Sequence, residues 1–359
     1  MLKIEKEKGA IYFNEGTWKA FKTTLEKLQP SSIFILVDTH TKKHCLPYFF
    51  DLTGLKNTAL IVEIKTGEEH KNIESCLEVW NTLSENGADR DSLLINLGGG
   101  VVTDLGGFVA STFMRGISFI NIPTTLLAMV DASVGGKNGV DLGSLKNQIG
   151  IINSPTVVLI DTVFLNTLPK NEMNSGFAEM LKHGLISSQK YWVDLKTFNP
   201  SNTETTDKLI WESIIIKNDI VTKDPFEKKE RKTLNYGHTL GHAIESYCLS
   251  NPLQKKLLHG EAIAIGMILA TFLSSEILNF DQAELSNITY TFLERYPKVD
   301  FSDAAIKDII QLLKHDKKNR NGEVRFVLLK DFGNCSINCL VDNQLIIDAF
   351  NFYKNFTLN

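Results

Sequence analysis

The amino-acid sequence predicts an α/β half carrying a parallel, helix-covered sheet, followed by an α-helical half, with the division near residue 165. Three observations carry this reading. Short apolar runs alternate with amphipathic segments as far as Ile160, as they do where helices cross over between parallel strands. From about Leu168 only helical periodicity remains. A chain of 359 residues is also long for one core and suits two domains, residues 1–165 and 166–359.

In the first half, residues 17–28 read as a helix that Pro30 ends, and residues 33–37 as a buried strand closing on Asp38. Residues 59–64 form a second strand, followed by Thr66-Gly67-Glu68-Glu69 and a helix over 73–86. A third strand, 93–97, runs into Gly98-Gly99-Gly100; a fourth spans 119–122 before Pro123, and a fifth spans 156–160 before Asp161. Ligands of parallel sheets bind beyond the carboxyl ends of the strands, where Asp38, Glu68, Gly98 to Asp104, Thr124 and Thr125 fall. The second half predicts helices over 171–186, 208–222, 236–249, 260–277, 282–295, 302–313 and 344–354, with a hairpin of 324–329 and 335–340. A cleft between the halves is the natural place for an active site.

Apolar residues make up 43% and charged residues 22%, and a net charge of −4 with scattered Lys and Arg gives no nucleic-acid footprint. The five cysteines are odd in number and form no C-x-x-C pair, so they read as free thiols in a reducing compartment. The N-terminal segment has no apolar signal core, and the longest apolar run, 262–273, is short for a bilayer and reads as a buried helix. The expectation is a cytoplasmic protein with no membrane partner.

The chemistry centres on residues 234–245. His238 and His242 stand four apart, so a helix presents both on one face, where they could grip a metal ion or lie as surface or core histidines. His259 in His-Gly-Glu-Ala and Glu179 in Gly-Phe-Ala-Glu-Met-Leu-Lys-His-Gly favour the metal. Glu179, His238 and His259 make a three-ligand set, with His242 or His183 as a further candidate; such a set leaves coordination positions open, the mark of a catalytic ion.

Gly98-Gly99-Gly100-Val-Val-Thr-Asp-Leu-Gly-Gly, between a strand and a helix, is a candidate phosphate cradle, because glycines let amides approach an anion at a helix N-terminus. It is neither a G-x-G-x-x-G fingerprint, since Thr103 replaces the third glycine, nor a P-loop. The bland reading is a tight turn with close helix packing at Gly106-Gly107. Asp38 favours a nucleotide, since a carboxylate there can bind ribose hydroxyls. Asp131, Lys137, Lys146 and Asn147 cluster in a glycine-containing loop, and Lys182, Lys217, Arg231, Asn235 and the basic run at 315–318 stand near the candidate ligands. Together they point to an anionic, phosphorylated small molecule.

These stretches resemble the 3-dehydroquinate synthase family, within the sugar phosphate cyclases, along nearly the whole chain. The resemblance rests on Thr-Gly-Glu-Glu-His-Lys (66–71), the glycine stretch through Phe108, Arg-Gly-Ile (115–117), residues 123–137, Lys-Asn (146–147), residues 176–182 and 234–245, His-Gly-Glu-Ala (259–262) and Asp-Lys-Lys (316–318). It implies a Rossmann-like NAD domain, an α-helical metal domain, a homodimer, and Zn2+ or Co2+ on Glu179, His238 and His259. It implies NAD contacts at Asp38, Glu68, Lys71, Gly100, Val101, Val102, Thr103, Asp104, Thr124, Thr125, Lys137, Lys146, Phe164, Leu165, Asn166 and Thr167. Substrate contacts are implied at Asp131, Lys137, Asn147, Lys182, Lys217, Arg231, Asn235, His242 and Lys317, with Arg115 reaching the neighbouring subunit's substrate.

The implied shikimate-pathway reaction converts 3-deoxy-D-arabino-heptulosonate 7-phosphate to 3-dehydroquinate and phosphate. It proceeds by transient oxidation, phosphate elimination, re-reduction, ring opening and aldol closure. An insertion around residues 251–256 lengthens the spacing between His238 and His259 relative to the family pattern. The rival readings are a metal- and NAD-dependent polyol or alcohol dehydrogenase, a sister cyclase, and a non-enzymatic sensor.

Overall fold

The computed structural model describes residues 2–143, 145–313 and 324–358, so Lys317 and the rest of the basic run at 315–318 lie outside the described residues. The chain divides into two compact units, Met1–Met173 and Asn174–Asn359.

The first unit is a seven-stranded sheet in the order β1-β2-β9-β6-β5-β3-β4. Its strands are β1 (Leu2–Ile4), β2 (Ala10–Phe13), β3 (Ile33–Asp38), β4 (Ala59–Ile64), β5 (Leu93–Gly98), β6 (Ser118–Pro123) and β9 (Val157–Ile160), with a separate hairpin of β7 (Lys137–Leu142) and β8 (Leu145–Ile152). The five strands read from the sequence form the continuous parallel block β9-β6-β5-β3-β4. β2 extends the parallel block beside β9, and the sheet departs from the parallel expectation at its edge, where β1 closes antiparallel on β2. Every residue of the central strand β5 is buried, and each large apolar side chain so placed stabilises the fold by roughly 2 kcal/mol.

The α-helices of this unit, among the described residues, are α1 (Thr17–Leu28), α2 (Thr39–His44), α3 (Leu46–Thr53), α4 (Ile73–Glu85), α5 (Gly100–Thr112) and the first residues of α6 (Lys170–Ser187). One core joins Cys76, Val79 and Leu83 of α4 and Val102, Leu105 and Val109 of α5 to Phe34, Leu36, Leu94 and Phe119 of the sheet. α5 comes unusually close to the strands. A Cβ at Gly106 would overlap the Asn96 side chain, which is buried and donates to Asn121 Oδ1 at 2.8 Å. A Cβ at Gly107 would overlap Asn138. Close packing therefore explains this glycine pair; Gly98 is also tight, since a Cβ there would meet the Val102 side chain at 2.5 Å.

The second unit holds the rest of α6, then α7 (Gln189–Leu195), α8 (Thr203–Lys223), α9 (His238–Ser250), α10 (His259–Leu278), α11 (Gln282–Leu293), α12 (Asp303–Leu313), a hairpin of β10 (Arg325–Asp331) and β11 (Asn334–Leu340), and α13 (Asn343–Asn355). α10 is long and apolar enough to cross a membrane by length and composition, but 72% of its most apolar window is buried inside the unit, as the sequence reading of a core helix requires. It crosses α9 through glycines: a Cβ at Gly266 would overlap Gly237 O and lie 2.7 Å from Gly241 N. At its start, Gly260 is pressed against the Ser175 backbone of α6 and donates its amide to Ser175 Oγ at 2.9 Å. These glycine contacts bring the N-termini of α9 and α10 to the face of α6 that carries Glu179.

Candidate active site

His238 and His259 are the first residues of α9 and α10, and Glu179 lies mid-way along α6. Glu179 is fully buried, and its Oε1 lies 3.4 Å from His238 Nε2 and 3.5 Å from His259 Nε2. Both imidazoles are oriented by their other nitrogen: His238 Nδ1 donates to Tyr236 O at 3.1 Å, and His259 Nδ1 lies 3.1 Å from Glu245 Oε2. Such outer partners fix the tautomer and turn Nε2 toward a metal. The residues 251–256 loop leaves His259 in reach of Glu179, so the longer spacing does not break the triad.

Burial alone would raise the Glu179 carboxyl, but Lys182, His238 and His259 together hold it well below the ordinary carboxylate range. Burial lowers His238, although Glu179 opposes it. Burial also acts to lower His259, but Glu245 and Glu179 overcome it and raise the ring to about 10. Lys182 Nζ pairs with Glu179 Oε2, while Oε1 is buried with no hydrogen-bond partner. A carboxylate oxygen in that position, facing two Nε2 atoms, fits a divalent cation. Donors at about 2.0–2.1 Å from a tetrahedral ion stand about 3.3–3.4 Å apart.

His242 is half-buried, its ring centroid 5.2 Å from that of His238 and 5.7 Å from that of His259. Ligand-capable nitrogens of the three histidines lie within 4.8 Å of one another. His183 is buried, with Nδ1 2.6 Å from Ser213 Oγ. Lys217 is buried on α8, and Arg231 is buried in the turn Glu230–Asn235, donating through its guanidinium to Pro225 O at 2.6 Å. Asn235 donates to Glu227, a residue with left-handed φ of 56°. Glu227 and Glu245 were not singled out from the sequence. Glu245 falls seven residues after His238, two helical turns along the same face, so that signal was present.

In the first unit the C-terminal rim carries its own polar cluster. Lys71 Nζ donates to Asp104 Oδ2 at 2.6 Å and Asn147 Oδ1 at 2.8 Å, and lies 3.9 Å from Glu68. Burial acts to lower the Lys71 ammonium, but Asp104 and Glu68 raise it above its ordinary value, so it is charged. Lys146 bridges Glu68 and Asp141, the latter at 2.8 Å. At the glycine stretch, Gly99 caps α5, so the amides of Gly100, Val101 and Val102 have no intrahelical carbonyl and face the rim. Thr103 is different: its amide donates to Gly99 O at 3.0 Å, within the helix.

Asp38 caps α2, accepting from Thr41 N at 2.7 Å. Thr124 is buried and donates its amide to Gly98 O at 3.0 Å, and Thr125 Oγ1 accepts from Ala128 N at 3.2 Å. Phe164 to Thr167 form the end of the turn Thr162–Thr167, with Leu165 buried and the Phe164 ring edge-on to Tyr48 at 5.3 Å. Asp161 starts that turn and accepts from Trp18 Nε1 at 2.7 Å and Tyr48 OH at 2.8 Å. Asp131 sits in the π-helical turn Ala128–Ala132, and Lys137 opens β7. Lys137, Lys146 and Asn147, expected in a loop, instead stand on the paired strands β7 and β8. Arg115 is exposed at a tip where it and Met114 both take left-handed φ, 70° and 49°.

Two family models match the chain: 3-dehydroquinate synthase N-terminal over residues 61–175 and 3-dehydroquinate synthase C-terminal over residues 176–319. A 3-dehydroquinate synthase of Parabacteroides distasonis is 42% identical over 332 residues, 92% of this chain and 93% of the relative. One of Dictyoglomus thermophilum is 37% identical over 352 residues, 97% and 96% of the two chains. Among solved structures, a 2-deoxy-scyllo-inosose synthase complexed with carbaglucose-6-phosphate, NAD+ and Co2+ superposes with TM-score 0.80 at 25% identity, covering 95% of each chain. A 2-epi-5-epi-valiolone synthase from Streptomyces hygroscopicus, with NAD+ and Zn2+ bound, gives 0.84 at 22% identity over 99% of each. An iron-containing alcohol dehydrogenase gives 0.67 at 13% identity, over 98% of this chain and 99% of the other, a likeness of fold alone.

Proposed function

The chain belongs to the 3-dehydroquinate synthase family, and we propose that it catalyses that family's phosphate-eliminating cyclisation of 3-deoxy-D-arabino-heptulosonate 7-phosphate as an NAD- and metal-dependent lyase. The observation that carries this is the buried Glu179 Oε1 facing His238 Nε2 and His259 Nε2, with Lys182, Lys217 and Arg231 buried in the same unit. When bound, NAD supplies a reversible hydride acceptor and the divalent ion polarises a substrate hydroxyl.

The chain's own residues do the rest. Lys182 holds Glu179 Oε2 and thereby directs Oε1 to the cation. Buried cations such as Lys182, Lys217 and Arg231 favour a polyanion, because charges removed from water interact more strongly. Arg231, planar and bidentate, suits the substrate carboxylate, and Asn235 and His242 suit the leaving phosphate. In the first unit, the amides at the start of α5 suit the nucleotide pyrophosphate and Asp38 its ribose. We read the protein as a cytoplasmic homodimer in which Arg115 reaches the partner subunit's substrate, a state that sizing by light scattering tests.

A simple dehydrogenase has no use for so many buried cations, and the relatives at 34–42% identity are dehydroquinate synthases, whereas the sister cyclases stand at 22–25%. The test is phosphate release from the heptulosonate phosphate with catalytic NAD+, with and without chelator. Phosphate should accumulate with no net NADH, and chelation should stop it. Stoichiometric NADH would make the protein a dehydrogenase.

A further inference from the structure

β7 and β8 pair regularly from Lys137↔Ile152 to Val140↔Ile149 and again at Leu142↔Leu145. Between those points Asp141 alone stands on β7 opposite Lys146, Asn147 and Gln148 on β8. Bulges of this kind re-aim side chains and recur beside active sites. Here Asn147 takes a left-handed φ of 52°, a conformation asparagine tolerates better than most residues.

Asp141, itself buried, makes the contacts that organise this irregularity. Its Oδ1 accepts from Asn147 N at 2.6 Å, its Oδ2 accepts from Lys146 Nζ at 2.8 Å, and its amide donates to Lys71 O at 2.8 Å. One residue therefore ties three segments: the turn carrying Glu68 and Lys71, strand β7, and the bulge carrying Lys146 and Asn147. The Asn147 amide bond fixes the backbone that delivers Asn147 Oδ1 to Lys71 Nζ at 2.8 Å. Lys146 is buried, and its other carboxylate partner, Glu68, is about a third exposed, so Asp141 is the more shielded of the two.

We propose that Asp141 is a positioning residue that holds Lys71, Lys146 and Asn147 in one arrangement for nucleotide and substrate. This rests on reading those three residues as part of the nucleotide and substrate machinery. The carboxylate is required as a charge as well as an acceptor. An asparagine could still accept from the Asn147 amide, but would take a buried carboxylate charge away from Lys146.

The test compares D141N, K146M and the double variant, which are close in volume to the native side chains, in full-length protein. D141N should weaken NAD+ binding by about tenfold in calorimetric titration, the loss of one charge-assisted bond, while kcat at saturating NAD+ and substrate stays within about threefold. In the K146M background the same change should alter NAD+ binding by less than about twofold, because the partner is already gone. Acylation by an amine-reactive reagent, mapped by peptide mass spectrometry, should modify Lys146 about tenfold faster in D141N than in the native chain. NAD+ binding by D141N within about twofold of native, or effects that multiply in the double variant, would overturn the proposal. The labelling arm is independent of NAD+. If the native chain binds no NAD+, the functional reading falls, and unchanged Lys146 labelling would still refute a holding role for Asp141.

Discussion

His238 and His242 occupy one face of α9, and what separates them is Tyr236 O, which holds His238 Nδ1 and turns its Nε2 to Glu179. His238→Ala should therefore lose bound metal after dialysis, by about 100-fold or more in affinity, while His242→Ala should keep the metal and lose turnover. Elemental analysis beside phosphate-release assays distinguishes them, and equal metal loss would make His242 a ligand. His259 adds a pH dependence. In the metal-free chain its ring is raised to about 10 by Glu245 and Glu179 against burial, so it is protonated at neutral pH. The sign follows: a group raised in the folded state stabilises the metal-free fold below its ordinary value, and that contribution fades as pH rises through about 10. A metal must displace this proton, so affinity should tighten by up to about tenfold per pH unit between about pH 7 and 9. Competition titrations with a chelator of known affinity measure this slope, and a flat profile would mean His259 is neutral or uninvolved. The proximity of Glu179, His238 and His259 was legible in the motifs that carry them, whereas helical spacing by itself pairs His238 with His242. Asp141 was not, because its role comes from a bulge, and a bulge is a tertiary irregularity with no periodic signature.

At the scale of elements, the site depends on how closely helices approach. Gly266 lets α10 lie against Gly241 of α9 and Gly237 just before it, and Gly260 lets it lie against Ser175 of α6. Gly266→Ala should cost about 1–3 kcal/mol, since the Cβ would meet backbone atoms that have nowhere to move. It should also weaken metal binding by more than the global destabilisation explains, because His238 begins the displaced helix. Denaturant melts and metal titrations on one preparation check both, and an unchanged midpoint would show that the crossing is looser than the contacts indicate. Helices of this kind were readable from the 3.6-residue period, and the strands β3, β4, β5, β6 and β9 from their apolar runs. β1 and β2 were not read from the sequence. The β7–β8 hairpin was missed because Lys137-Asn138-Gly139 and Asn147-Gln148 look like loop chemistry, and only pairing makes them strand.

For the whole molecule, the residues proposed to bind the nucleotide all precede Met173, and the three proposed metal ligands all follow it, so the two sets belong to different compact units. A ligand that binds only the folded state stabilises it by mass action, by about 2.7 kcal/mol at a concentration 100 times its Kd. For a cooperative unit of roughly 150–250 residues this corresponds to a rise of about 5–10 °C in Tm. Saturating NAD+ should therefore raise the Tm by about that amount, and most of the rise should survive chelation, because the bonds of Lys71 to Asp104 and of Lys146 to Asp141 lie within the first unit. Metal should add its own stabilisation with or without NAD+. Differential scanning calorimetry with both ligands, each alone and neither completes the cycle. A nucleotide effect abolished by chelation would show that NAD+ binding requires the metal, and would refute the separation of the two sets of residues.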